Sequence, residues 1–178
     1  MNKSDIHPMP QFFDTYINMV SEENLMEALQ HSMDALTNFD KNVFENIGDR
    51  KYQTNKWTTK EVLQHIIDNE RVQAYRALRI ARRDQTPLPG YDEELFGQNA
   101  KTVHRTIEDM IDELRTVRLT TIQLFKSFEV SDLAQKGICF NQNISVLALG
   151  FVIVGHQIHH INVIKERYFP LYSIESII

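Results

Sequence analysis

The sequence predicts an all-α protein built as a four-helix bundle. Three observations carry this. Four long stretches repeat apolar residues at three- and four-residue spacing, and most have a recognisable start or stop signal. Glycine and proline are scarce, with Gly 6 and Pro 5 in 178 residues, which disfavours a turn-rich β fold. No stretch alternates polar and apolar residues for long, so no strand is expected. With 42% apolar and 10% aromatic residues, a chain of this length can bury a real core. One domain over 1–178 is expected, with 1–20 as an N-terminal extension and 171–178 as a tail.

A short helix is expected at 11–19. The first long helix should start at Ser21 as N-cap, with Val20 and Leu25 as a hydrophobic staple. It would turn Leu25, Leu29, Met33, Leu36, Phe39 and Val43 to the core and end at 46–48. The second has the clearest start: Thr58-Thr59-Lys60-Glu61 reads as a capping box, and Trp57 with Val62 as its staple. The only tryptophan is thus a plug at the start of a helix. That helix should run to about Arg83, before Thr86-Pro87-Leu88-Pro89-Gly90 stops it. A third, from about Thr106 to Ser127, lines up Ile107, Met110, Ile111, Leu114, Val117, Thr121, Leu124, Phe125 and Phe128. The fourth starts at Ser145, with Ile144 and Leu149 as staple, and runs to about Arg167. It is apolar nearly all round through Val154, so it should be the most buried. Connections at 84–105 and 128–144 are long for a bundle and permit crossovers in place of simple up-and-down order. The methionines and Phe39, Phe125, Phe128 and Phe151 read as core, and Cys139 as an incidental loop residue.

A net charge of −5 argues against nucleic acid or an anionic membrane as partner. Arg71, Arg76, Arg79, Arg82 and Arg83 read as cations favoured near a helix C-terminus. A single cysteine can form neither an internal disulfide nor a thiolate zinc cluster. No signal sequence is read at the N-terminus, and the longest apolar stretch, 144–154, is too short for a bilayer core of about 30 Å. A cytoplasmic location is therefore expected.

The chemistry lies in the histidines. Three of seven cluster in Gly155-His156-Gln157-Ile158-His159-His160, where the fourth helix turns polar. Residues four apart share a helical face, so His156 and His160 can reach one ion. His159 points to one side and could pair with His156 instead, but not easily with both. A glycine at 155 leaves room beside the first imidazole. The best placed third ligand is His65, flanked by Leu63, Ile66 and Ile67, whereas His7, His31 and His104 fall in a tail, on a polar flank and near a loop. A His65–His156–His160 set leaves an open coordination position, as catalytic sites do. Imidazoles suit a divalent ion, zinc or nickel first, with manganese and iron compatible. The opposing reading is three hydrogen-bonded core histidines. Gln at 157 excludes the His-Glu-x-x-His protease motif, and no Glu-x-x-His pair supports a di-iron centre. Asp68 and Asn69, one turn after His65, are candidates to orient an imidazole or a water, or are simply solvated.

The segments Lys56-Trp57-Thr58-Thr59-Lys60-Glu61-Val62-Leu63-Gln64-His65, Asp68-Asn69-Glu70-Arg71, 74–82, 86–92, 144–160 and Lys165-Glu166-Arg167-Tyr168 together resemble the DinB-like superfamily. The nearest branch is that of YfiT-type metal-dependent hydrolases and bacillithiol transferases. The resemblance implies a DinB/YfiT-like four-helix bundle whose second-helix histidine and fourth-helix His-x-x-x-His pair bind one divalent metal, here His65, His156 and His160. It also implies a small-molecule substrate and a homodimer, to which an apolar tail at 174–178 could contribute. The activity expected from it is transfer of a low-molecular-weight thiol, of the bacillithiol type, onto electrophiles. The alternatives are a metal-dependent hydrolase of amide-like bonds, with Asp68 acting catalytically through a water, and a non-enzymatic metal-binding stress protein. The 86–96 segment, with Tyr91, would cover the site or serve only as a crossover.

Overall fold

The computed structural model describes residues 1–38 and 41–173. A 3₁₀ turn at Lys3–Asp5 leads to α1 (Asp14–Met19) and α2 (Leu25–Ala35); a second 3₁₀ turn, Leu36–Asn38, precedes α3 (Lys41–Ile47). Then come α4 (Thr59–Ala81), α5 (Glu93–Asn99), α6 (Ile107–Lys126), α7 (Val130–Leu133), β1 (Lys136–Cys139), β2 (Gln142–Ser145), α8 (Val146–Arg167) and α9 (Phe169–Ser173).

The starts of α4, α6 and α8 match the sequence reading. The Thr58 hydroxyl accepts from Glu61 N at 3.2 Å while the Glu61 carboxylate accepts from Thr58 N at 2.6 Å. Thr106 and Ser145 cap α6 and α8 through the amides of Asp109 and Ala148. The first long helix differs twice. Its cap is Asn24, whose side chain accepts from Met26 N and Glu27 N, while the Ser21 hydroxyl donates to the neighbouring Glu22. It also breaks after Ala35, where the Thr37 hydroxyl donates to Asp34 O at 2.5 Å and competes for the helical backbone. Phe39 lies outside the described residues, as do 174–178.

A hairpin stands where no strand was expected. β1 and β2 pair antiparallel with Lys136 opposite Ser145 and Cys139 opposite Gln142. Phe140 and Asn141 both take positive φ, 48° and 60°, as a two-residue hairpin turn demands. Leu88 joins beside β1 through Leu88 N to Ile138 O and Phe140 N to Leu88 O. Cys139 is accordingly fully buried in a strand, not in a loop. Met9 and Met19, read as core, are exposed.

Around the bundle, α4 packs on α6 and α8, and α2 also packs on α6 and α8. Consecutive long helices α2 and α4 therefore sit across a diagonal, as do α6 and α8, so the order is not simple up-and-down. One apolar cluster joins α1, α2, the end of α4 and the start of α8; the other joins α3, the start of α4, the start of α6 and the end of α8. Hence α4 and α8 run antiparallel. A buried polar layer lies at mid-bundle. Arg118 of α6 donates through Nε and Nη2 to the two Glu70 oxygens of α4 at 2.8 and 2.9 Å, and also to the Ser32 hydroxyl of α2. Gln157 of α8 donates to Ser32 O at 3.0 Å. The helix Val146–Arg167 lies in a stretch long and apolar enough to cross a membrane, but most of that stretch is buried within the fold.

The N-terminal segment is part of the core. Ile6, Phe13, Ile17 and Val20 are buried, and α1 lies against α8. The contact depends on Gly155: a Cβ there would stand 1.9 Å from Tyr16 O and 2.5 Å from Tyr16 C. The glycine expected to make room for an imidazole instead makes room for a crossing backbone.

Candidate metal centre

The antiparallel packing sets the second turn of α4 against the later half of α8. His65 Nε2 lies 3.0 Å from His156 Nε2 and 3.1 Å from His160 Nε2. The three ligand nitrogens fall within 4.8 Å of one another. Nitrogens bound to one ion at about 2.1 Å stand roughly 3.0–3.4 Å apart, so two of the three separations suit shared coordination. Hydrogen bonds alone serve the group poorly, because each neutral Nε2 offers one proton or one lone pair and His65 faces two partners. Burial lowers all three imidazole pKa values. His65 falls to about 4 by burial and then by His159; His160 falls to about 3 by burial and then by His65 and His159. His156, the deepest, is pushed well down by burial and then by its histidine neighbours. All three are therefore neutral near pH 7, the form that ligates.

Aromatic rings fix their placement. Trp57 packs on His65 with ring centres 4.9 Å apart, so it covers the candidate ligand as well as the start of α4. Tyr16 packs on His156 at 5.3 Å and on His159 at 5.6 Å. His159 thus lies outside the converging set. Asp68 faces elsewhere: it accepts from Gln64 Nε2 at 2.9 Å and lies 3.8 Å from Arg71, in a network with Arg105 and Glu113. Its neighbour Asn69 turns the other way and donates to the Tyr91 hydroxyl at 2.8 Å.

A cavity of about 390 Å³ opens on His156, walled by Phe13, Tyr16, Asn69, Arg76, Tyr91 and Glu93, among others. A smaller one of about 190 Å³ opens on His160 beside Trp57 and Tyr168, and Glu94 borders both. The 86–96 segment therefore walls the site. Asn69 holds it through Tyr91, and Arg76 holds it by donating to Pro89 O at 2.6 Å. Burial pushes the Tyr91 phenol up to about 12, and burial with Glu93 raises Tyr16, so both stay protonated. Burial, then Glu94, raises the Glu93 carboxyl.

Sequence reasoning missed Tyr16, Glu93 and Glu94, and placed Arg76 at a solvated helix end. For Arg76 a signal exists. His65, Asn69, Gln73 and Arg76 fall at i, i+4, i+8 and i+11, a polar stripe on a face that otherwise should be apolar, and all four are buried. Arg71, Arg79 and Arg83 pair with Asp68 and Glu113, Asp84, and Asp132, and Arg82 lies over the Phe128 ring.

Among solved structures, the fold matches YfiT from Bacillus subtilis, described as a probable metal-dependent hydrolase with an unusual four-helix bundle topology. The TM-score is 0.65 at 15% identity, over 86% of this chain and 84% of that one, a likeness of fold. No curated protein matches the sequence. Residues 28–164, from α2 through nearly the whole of α8 and including all three converging histidines, match the DinB superfamily. The chain belongs to the DinB superfamily.

Proposed function

We propose that the protein is a divalent-metal-dependent enzyme of the cytoplasm that transfers a low-molecular-weight thiol onto electrophilic small molecules. His65, His156 and His160 would hold zinc or nickel, with manganese and iron compatible by ligand type. One observation carries the reading: three buried, neutral imidazole nitrogens converge beside a cavity, and no carboxylate is hydrogen-bonded to them among the described residues. A bound divalent ion would lower the pKa of a thiol brought to it and stabilise developing negative charge. A thiol near pKa 8.5 needs less help from a base than water does, which suits a site with uncharged ligands. The chain's own residues do the rest. Tyr91 and Tyr16, kept protonated, can donate to a polar substrate group, and Trp57 with the 86–96 segment limits water.

Glu93 supports hydrolysis of an amide-like bond as a second reading. Its carboxyl lies in the cavity wall, where desolvation and Glu94 raise its pKa, so it holds a proton more readily than an ordinary carboxylate. Asp68 points away and is the weaker candidate. On family resemblance we also propose a homodimer, which sedimentation velocity tests.

Elemental analysis of protein purified without chelator or metal-affinity resin tests the centre. About one ion per chain is expected, and little in a His156→Ala, His160→Ala double variant. Loaded protein is then given an electrophilic bimane with and without bacillithiol, glutathione or cysteine. Thiol-dependent turnover supports transfer; amide turnover without thiol favours the second reading. No metal uptake refutes both.

A further inference from the structure

Among the described residues three charged side chains are buried, Glu70, Arg118 and Arg76. The first two are each other's partner. Arg76 has only neutral ones: it donates through Nη1 to Gln73 Oε1 at 3.2 Å and through Nη2 to Pro89 O at 2.6 Å. Glu93 in the same cavity wall feels its charge but forms no ion pair with it. A guanidinium cannot shed its proton, so an anion that arrives to pair with it directly would offset the cost of its burial. It lines the cavity that opens on His156, as does Asn69, whose buried Oδ1 has no hydrogen-bond partner.

We infer that this cavity takes an elongated small molecule with a terminal carboxylate, bound at Arg76, and presents its other end to His65, His156 and His160. This rests on the reading of those histidines as the reaction centre. Eleven residues of α4 separate His65 from Arg76, about 16 Å of helix rise. The arginine leans back toward the helix start, as its bond to Gln73 shows, which leaves roughly 10–14 Å between the reacting end and the guanidinium. Asn69 lies between them and would meet a polar group near the reacting end, while Phe13, Tyr16 and Val152 contact the middle. Glu93 and Glu94 in the same wall repel a second negative charge, so a carboxylate fits better than a phosphate.

Hydroxamates test this, since their head group binds metal ions. Zinc-loaded full-length protein is titrated calorimetrically with acetohydroxamate, then with monohydroxamates of straight-chain dicarboxylic acids from succinic to sebacic, each beside its carboxamide-tailed counterpart. Affinity should peak at one chain length, where the carboxylate binds about tenfold or more tightly than its carboxamide. Arg76→Gln should abolish that gain and Arg76→Lys should retain part of it; the wild-type comparison stands even if a variant does not fold. Equal affinity of carboxylate and carboxamide at every length refutes the proposal and leaves Arg76 as a clamp on Pro89. A phosphonate tail that outbinds the carboxylate refutes the choice of a single charge. No binding of acetohydroxamate refutes the metal centre, and the proposal with it; acetohydroxamate binding without a tail effect refutes the proposal alone.

Discussion

Gly155→Ala should destabilise the protein although it replaces a mid-helix glycine with the best helix former. The propensity gain in α8 is about 1 kcal/mol. Against it, the new Cβ would stand 1.9 Å from Tyr16 O and 3.0 Å from Tyr16 Cα, so α1 must retreat by about 1.5 Å to reach ordinary contact. The obstacle is backbone, which no rotamer change relieves. Retreat loosens Phe13, Ile17 and Val20, all buried against α8 and its neighbours, and each such side chain is worth about 1.5–3 kcal/mol when fully buried. Overpacking of this kind costs typically about 1–3 kcal/mol, and a backbone obstacle puts it at the upper end, so after the propensity gain a net loss of about 2 kcal/mol is expected. Urea unfolding measures it as a lowered midpoint at unchanged slope. Metal stoichiometry should hold, because the three histidines sit on α4 and α8 and not on α1. A variant as stable as the parent, or more stable by about the propensity gain, would show that α1 does not cross at Gly155.

Removing metal with a chelator should lower the melting temperature of the parent and leave His65→Ala unmoved; an ion present at a hundred times its Kd stabilises by about 2.7 kcal/mol. Metal-free protein should lose stability in acid. Each imidazole pKa is lowered on folding, so the unfolded chain takes up protons first, and stability holds above about 6.5 and falls as pH drops toward about 4, the value for His65. Denaturation at stepped pH reads this, and a flat profile across the window refutes burial of neutral histidines. Arg118→Met should cost about 3–5 kcal/mol by leaving Glu70 buried and unpaired, while Arg118→Met with Glu70→Leu should recover much of it; equal losses would show that the ion pair is not buried as described. Thr58→Ala should cost about 1 kcal/mol in the same unfolding assay, and no change would mean the α4 cap is idle.

What was legible in the sequence is what local chemistry specifies. The capping box at Thr58, the Ser145 cap and the apolar stripe of α6 depend on neighbours within a few residues, and all three stand. His156 and His160 share a face by periodicity alone. The losses have physical causes. Ser21 and Asn24 are both good caps three residues apart, and only tertiary placement of Leu25 chooses between them. The hairpin has four-residue strands and a Phe-Asn turn in place of the usual Asn-Gly or Asp-Gly, so neither alternation nor turn signal rises above noise. Tyr16 reaches His156 across 140 residues of sequence through a contact made possible by a missing Cβ, which no spacing rule reveals.

The diagonal helix order explains why one bundle holds both a polar layer and a histidine cluster without mixing them. With α8 lodged between α2 and α4, consecutive residues of α8 face different neighbours. His156 turns to His65 of α4, while Gln157, about 100° further round, turns to Ser32 of α2. The Glu70–Arg118 pair ties α4 to α6, and its Ser32 contact ties both to the same point on α2. Sliding α4 along α8 by one turn would separate His65 from His156 and also pull Glu70 away from Arg118. The buried ion pair thereby opposes displacement of the three imidazoles, which is reason for a bundle to keep a costly charge pair at its centre. The Arg118→Met, Glu70→Leu double variant separates the two effects. If it folds stably yet binds metal more weakly than the parent, the pair serves register; if metal affinity is unchanged, helix packing alone positions the histidines.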